Sequence, residues 1–306
     1  LLVQAPQKMA AAFDEALHFF AVRRWPALSV SVHPLSGAAD ALALMAKGNH
    51  RGKIALAAAD VPVHPAEHLT VARDGVFLIA GGTRGFGLAV GTFLADRGAR
   101  HLALLSRGGL RGEEETRAVA ALRHRGVNVE IFATDVTDRL AVERVIAAIH
   151  REERPLRGVF QSTLVLDDAM LDRMTRPQLD GPMAPKVAGT WNLHLATIGI
   201  PLDWFVSFSS ISSIYGFPGQ ANYAAANRFL DDFALYRRSL GLPGTTINWG
   251  ALQGAGFVER SAAVRSFLSN NGWETLTLEE ALSAMERVLL EGHPQMAVFR
   301  ADWSTV

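Results

Sequence analysis

Cysteine is absent from the 306-residue chain, which excludes disulfides, thiolate metal sites and a cysteine nucleophile. An excess of positive charge is absent as well, since 30 Lys+Arg meet 30 Asp+Glu. Nucleic acid and anionic membranes both select for a basic excess, so neither is an expected main partner. No apolar run approaches the roughly 18 residues of a membrane span. The 10 histidines lack metal-binding spacing, such as two placed four apart around a glutamate, and no metal is expected. Leu1–Ala10 has no initiator Met and no charged-then-apolar signal pattern. A cytoplasmic piece of a longer chain is therefore expected. What the chain does have is core material: 49% of residues are apolar and 20% charged, a globular composition.

From about Val71 onward, short apolar runs alternate with amphipathic stretches, the pattern of a parallel sheet covered by helices. The runs are Val76–Ala80, His101–Leu105, Asn128–Ala133, Gly158–Gln161, Trp204–Ser209, Thr245–Trp249 and Met296–Arg300. Helices are predicted near Gly85–Arg97, Glu113–Arg125, Leu140–Glu152, Pro185–Thr197, Gln220–Leu240 and Leu278–Glu291. Seven strands in this alternation predict one doubly wound α/β domain of Rossmann type, at 76–306. Its runs are continuous, as strands buried on both faces require. Residues 61–75 read as a linker. Before it, residues 1–60 predict a helix (Met9–Val22), a strand (Leu28–Val32), a helix (Ala38–Lys47) and a strand (Lys53–Ala58). That small α/β fragment buries too little surface to be more than marginal alone.

The first strand of the large domain runs into Gly81-Gly82-Thr83-Arg84-Gly85-Phe86-Gly87. Glycines at a strand-to-helix turn let backbone N–H groups and a helix N-terminus approach a pyrophosphate. A bare tight turn would look the same in isolation; the place in the fold favours a nicotinamide cofactor. The second strand ends in Leu105-Ser106-Arg107, where an NAD site would carry a carboxylate. A guanidinium and a hydroxyl suit a 2′-phosphate, so NADPH is favoured, with a solvated loop arginine as the alternative. Thr83 and Arg84 are further candidates for phosphate contact. Asp135 has two roles open: meeting the adenine amine, or capping the helix that starts near Asp138.

Carbonyl reduction needs a proton donor, a second donor that holds the carbonyl oxygen, and a cation that tempers the donor's pKa. Tyr223 begins a predicted helix, with Asn227 one turn later on the same face. Ser210 closes a buried strand 13 residues earlier, and Lys186 lies on the preceding helix. Each has an ordinary reading: a packed tyrosine, a polar loop serine, a solvated lysine. Spacing rather than chemistry selects Ser210 over Ser209. The constellation as a whole is much less expected by accident.

These motifs resemble the catalytic ketoreductase domain of type I polyketide synthases, within the extended short-chain dehydrogenase/reductase superfamily. The resemblance spans Val76–Trp303 and rests on the glycine loop at 81–87, Leu-Ser-Arg at 105–107 and Leu-Asp-Asp at 166–168. Pro-Gly-Gln-Ala-Asn-Tyr-Ala-Ala-Ala-Asn at 218–227, Ile-Asn-Trp-Gly at 247–250 and Asp302-Trp303 agree with it. Most short-chain dehydrogenases carry Lys four residues after the tyrosine; here Asn227 stands there, and Lys186 matches the earlier lysine of the synthase domains. The resemblance implies that Tyr223 donates the proton, Ser210 orients the carbonyl, Lys186 is the cation, and Asn227 supports a proton relay. It implies cofactor contacts at Gly81–Gly87, Ser106, Arg107, Asp135, Val136, Gln161, Tyr223 and Lys186. Leu166-Asp167-Asp168, with Tyr215 rather than Trp eight residues before Tyr223, looks like the B-type pattern that gives a D-configured, usually 3R, hydroxyl. Ala80 and Arg84 depart from the usual Thr and Gly.

The implied reaction is NADPH-dependent reduction of a β-ketoacyl thioester held on the phosphopantetheine arm of an acyl carrier protein. Ala39–Lys53 is similar, more weakly, to the carboxyl end of a synthase enoylreductase. That implies a neighbouring enoylreductase and an upstream structural ketoreductase subdomain as partners. Ala251–Trp273 falls where the superfamily has a substrate lid, although an ordinary packed helix is an equal reading. His50 beside Arg51 reads as a solvated loop residue.

Overall fold

The computed structural model describes residues 29–48, 50–57, 68–254 and 270–305, with isolated positions at 11, 14, 15, 18 and 268. The chain divides into two compact units, Leu1–Ala66 and Glu67–Val306. In the first, strand β1 (Val30–Pro34) pairs in parallel with β2 (Lys53–Ala57), joined through helix α1 (Ala38–Ala46). Ala41 is the sole buried residue among those described in this unit. The expected Met9–Val22 helix falls largely outside the described residues.

The second unit is built on seven parallel strands: β3 (Val76–Ala80), β4 (His101–Ser106), β5 (Asn128–Ala133), β6 (Leu156–Gln161), β7 (Trp204–Ser210), β8 (Thr245–Trp249) and β11 (Gln295–Val298). They form one sheet in the order β11-β8-β7-β6-β3-β4-β5. This is the doubly wound sheet expected from the seven apolar runs. The chain starts at the centre, builds outward through β4 and β5, then crosses back to β6. The order therefore reverses between β3 and β6, and a crevice opens there at the carboxyl ends of the strands.

Helices cover both faces. Phe77 and Ile79 point into one layer, with Leu94 of α2 (Gly85–Asp96), Leu122 of α3 (Glu113–His124) and Met285 of α9 (Leu278–Glu291). Val76, Leu78 and Ala80 point into the other, with Val142 of α4 (Arg139–Ile149), Leu193 of α6 (Gly189–Thr197) and Phe233 of α8 (Ala221–Ser239). A single turn, α7 (Ser212–Tyr215), follows the end of β7. All five residues of β3 are buried, which is why the run shows no alternation. Leu69 and Val71, expected in the linker, are apolar enough to be drawn into the first of these layers.

Two local departures bear on the site. The helix expected at Pro185–Thr197 begins earlier, as α5 (Arg176–Met183), opened by a Thr175/Gln178 capping box. A π-turn at Ala184–Ala188 separates it from α6, and the Gly189 N–H bonds back to Ala184 O. Pro185 cannot donate a helical hydrogen bond, and the widened turn absorbs that loss. The second departure is a three-stranded sheet of β9 (Ala251–Leu252), β10 (Trp273–Leu276) and β12 (Arg300–Ala301). It divides the run expected at Met296–Arg300 into β11 and β12. The lid expected at 251–273 falls mostly on residues outside those described. No described helix is long and apolar enough to cross a membrane.

Candidate active site

The glycine loop leaves β3 at the point where the strand order reverses. Gly81 has φ of 80° and Gly85 of 53°, a backbone region that strains other side chains. A Cβ on Gly81 would lie 2.8 Å from Ser162 O, one on Gly82 2.7 Å from Ile79 O, and one on Gly87 would strike Gly81 O. Glycine is thus what lets the loop fold against β3 and β6. The result is a cradle of backbone donors at the start of α2, which fits a dinucleotide pyrophosphate.

The loop side chains do different work. Thr83 is buried, and its Oγ1 donates to Ser106 Oγ at 2.9 Å, whose own hydrogen goes to Gly109 O at 3.0 Å. This pair ties the loop to the end of β4 rather than reaching outward. Phe86 packs against Phe208 and Trp249, with ring centroids 5.2 and 5.1 Å away. Arg84 and Arg107 are exposed and make no ion pair with any described residue. Both remain open to a phosphate.

Beyond β5, the Asp135 Oδ1 accepts from Thr137 N at 2.9 Å and from Thr137 Oγ1 at 2.8 Å. The cap of α4 is Asp138, which accepts from Ala141 N at 3.0 Å. Asp135 is therefore not the helix cap. Val136 is buried, and its carbonyl accepts from Asn192 Nδ2 at 3.1 Å. Gln161 closes β6 beside Ala80, and its amide donates to Pro185 O at 2.8 Å and Thr190 Oγ1 at 3.2 Å. It pins the π-turn that carries Lys186.

At the other end of the crevice, Ser210, Lys186, Tyr223 and Asn227 come together from β7, the π-turn and α8. Lys186 is 2% exposed; its Nζ donates to Phe208 O at 2.8 Å and lies 5.7 Å from the centroid of the Tyr223 ring. Burial lowers its pKa to about 7, against the opposing pull of Asp231. Desolvation of the phenol pushes Tyr223 above the usual tyrosine value, and hydrogen bonds with the Asn227 and Ser210 side chains act the other way. Sequence reasoning asked for a cation that lowers this pKa. In the structure, burial dominates and hydrogen bonds provide the main relief. Asn227 is buried; its Nδ2 donates to Tyr223 O at 2.9 Å, and its Oδ1 has no partner among the described residues. An orphaned buried acceptor of this kind marks a place for a water or a ligand hydroxyl. Ser209, the competing serine, is buried and donates to Asn227 O at 3.2 Å, whereas Ser210 is half-buried at the strand end.

With this geometry in view, comparison with known proteins is decisive. Residues 75–254 match the family model of the KR domain. The chain belongs to the ketoreductase domains of polyketide synthases. It is 40% identical over 270 residues to the hybrid PKS-NRPS synthetase pyvA of Aspergillus violaceofuscus, covering 85% of this chain and 7% of that one. It is 36% identical over 283 residues to a phenolphthiocerol/phthiocerol polyketide synthase of Mycobacterium tuberculosis, covering 90% of this chain and 12% of that one. Among solved structures, an A1-type ketoreductase superposes with a TM-score of 0.75 at 36% identity, covering 80% of this chain and 51% of that one. The chain thus spans a small part of the synthases it matches and about half of that ketoreductase.

Some residues that shape this ketoreductase site were not among the expected site residues. Asn222 is buried; its Nδ2 donates to Asp167 O at 2.8 Å and Gln178 O at 2.7 Å, and its Oδ1 accepts from Tyr223 N at 2.8 Å. It joins the Leu166-Asp167-Asp168 loop to the helix that carries the tyrosine. Gln220 Nε2 adds a bond to Asp168 Oδ2 at 2.9 Å. The position of Asn222 next to Tyr223 was a signal that the sequence offered. Asn248, on β8, lies in the Ile-Asn-Trp-Gly stretch at 247–250, whereas Asp231, on α8, gave no signal.

Proposed function

We propose that this domain reduces the β-keto group of a thioester on an acyl carrier protein, with NADPH as cofactor. The observation that carries the reading is the meeting of the half-buried Tyr223 with Ser210 and Asn227, beside the buried Lys186. A phenol held above its usual pKa stays protonated, which is the form that can act as an acid. Ser210 holds the carbonyl oxygen, and Tyr223 delivers its proton to the oxygen as negative charge develops there. Lys186 and Asn227 are the polar groups behind the phenol through which that proton is replaced. The bound cofactor supplies hydride to the β-carbon. Gly81–Gly87 would hold its pyrophosphate, Arg107 with Arg84 its 2′-phosphate, and Asp135 with Val136 its adenine.

The Leu166-Asp167-Asp168 loop, held by Asn222 and Gln220, supports the B-type, 3R-hydroxyl outcome. Solved relatives that are A-type ketoreductases share the fold, so the fold alone does not choose the hand of the product. Unit 1 is read as the end of an enoylreductase domain of the same synthase. The test is NADPH oxidation with a β-ketoacyl-N-acetylcysteamine thioester. Tyr223→Phe is expected to cut kcat by a factor of about 100 or more while NADPH still binds. Equal rates in the two proteins would refute the reading; the chirality of the product tests the B-type assignment.

A further inference from the structure

Beneath the site lies a carboxylate that the proposed chemistry leaves unused. Asp231 is 1% exposed and sits on α8, about two turns beyond Tyr223. Its hydrogen-bond partners are neutral. Oδ2 accepts from Ser213 Oγ at 2.7 Å, and Oδ1 accepts from Asn248 Nδ2 at 2.8 Å. A buried carboxyl is expensive unless it organises its surroundings, so its further connections matter.

Those connections lead to the reacting residues. Ser213 Oγ also lies 2.8 Å from Ser210 O. Asn248 Nδ2 lies 2.9 Å from Ser213 Oγ, 3.1 Å from Ser209 Oγ and 3.4 Å from Ser210 O. Ser209 Oγ in turn donates to Asn227 O at 3.2 Å. Gln295 Nε2 donates to Asn248 Oδ1 at 3.0 Å, which fixes the amide so that its hydrogens face this network. One carboxyl group thereby reaches the backbone of both Ser210 on β7 and Asn227 on α8.

We propose that Asp231 is a positioning residue that sets the spacing between Ser210 and the Tyr223–Asn227 helix by gripping Ser213 and Asn248. The proposal rests on Tyr223 and Ser210 being the reacting groups. Ser213 has one hydroxyl hydrogen and two acceptors in reach, the Asp231 carboxyl and the Ser210 carbonyl. A protonated Asp231 donates to Ser213, which frees the Ser213 hydrogen for Ser210 O. Burial pushes Asp231 up, in the direction that favours this form. Asparagine reproduces it: its Nδ2 donates to Ser213 while its Oδ1 accepts from Asn248.

The experiment compares the 306-residue chain with its Asp231→Ala, Asp231→Asn and Ser213→Ala variants, using the same thioester and NADPH. Displacement of a reacting group by a fraction of an ångström predicts a fall in kcat of about tenfold or more for Asp231→Ala. NADPH Kd should stay within about twofold, and far-UV circular dichroism should be unchanged. Asp231→Asn should keep kcat within about threefold of the parent. Ser213→Ala should fall like Asp231→Ala, and the double variant should fall no further than either single one. The proposal is overturned if Asp231→Ala keeps its kcat, if Asp231→Asn is as slow as Asp231→Ala, or if the two losses multiply. Should Asp231→Ala fail to fold, Ser213→Ala decides, and an unchanged kcat there rejects the idea. Turnover that does not need Tyr223 would remove the functional reading and this inference together. Tyr223-dependent turnover that ignores Asp231 would remove the inference alone.

Discussion

The two ends of the crevice are built on opposite plans. At the chemical end, Lys186, Asn227, Asp231 and Asn248 are all buried, and bonds from the π-turn, β7, β8 and α8 hold the surroundings of Ser210 and Tyr223, the proposed reacting residues. At the cofactor end, the backbone is fixed by glycines, while the charged groups, Arg84 and Arg107, stand in solvent. The difference follows from what each end must do. A proton donor gains from a dry, rigid setting, where a small misplacement costs rate. A phosphate brings its own charge and geometry, and it can be met by flexible cations with little loss. Rigidity is concentrated where the reaction is sensitive to distance.

The largest expected effect comes from breaking the buried end. Lys186→Met should lower kcat by a factor of about 100 to 1,000, since it removes the amine beside the phenol. Stability should not fall with it. The folded lysine has a pKa of about 7, so between pH 7 and the usual lysine value the unfolded chain binds a proton that the folded chain does not. Wild-type stability attributable to this group therefore rises with pH across that window, and the methionine variant should lack the rise. Urea titrations at pH 7 and pH 9, read beside kcat, check both halves. A smaller effect is expected at the exposed end. Arg107→Ala should raise the KM for NADPH about tenfold and leave kcat nearly unchanged, because one exposed charge-assisted contact is lost. The KM for NADH should move much less, and a comparable loss with both cofactors would show that Arg107 supports the loop instead.

The same contrast explains what could be read from the sequence. The seven strands were legible because strands buried on both faces are written as unbroken apolar runs, Val76–Ala80 being the plainest. The glycine loop and the residues Ser210, Tyr223 and Asn227 were legible because each sits at a fixed step from a strand end or helix start. Lys186 was readable by position, but its π-turn was not, since a proline inside a helix leaves several local solutions open. β9, β10 and β12 were hidden because they are short and pair across long separations in the chain. The roles of Asp231 and Asn248 were hidden for a related reason, although Asn248 lies in the Ile-Asn-Trp-Gly stretch. A buried network draws residues from several elements, and no local pattern shows which of them will meet.

A third region, remote from both ends, gives the comparison its control. Glu286 of α9 accepts from Arg97 Nε at 2.6 Å, Arg97 Nη2 at 2.7 Å and Leu69 N at 2.8 Å. It ties α9 to the end of α2 and to the segment leading into β3. Chiefly through Arg97, its pKa is held down to about 2. A carboxylate depressed in the folded state adds stability above its unfolded value, and that stability fades as pH falls toward 2. The contribution at neutral pH is at most about 3 kcal/mol. Glu286→Gln should therefore unfold at lower urea than the parent at pH 7, with the gap closing between pH 4.5 and pH 2. At pH 7 and a temperature where both proteins are folded, kcat should be the same. A loss of kcat would mean that the crevice is strained through α2 as well as through α8, and the division of the domain into rigid and compliant ends would need redrawing.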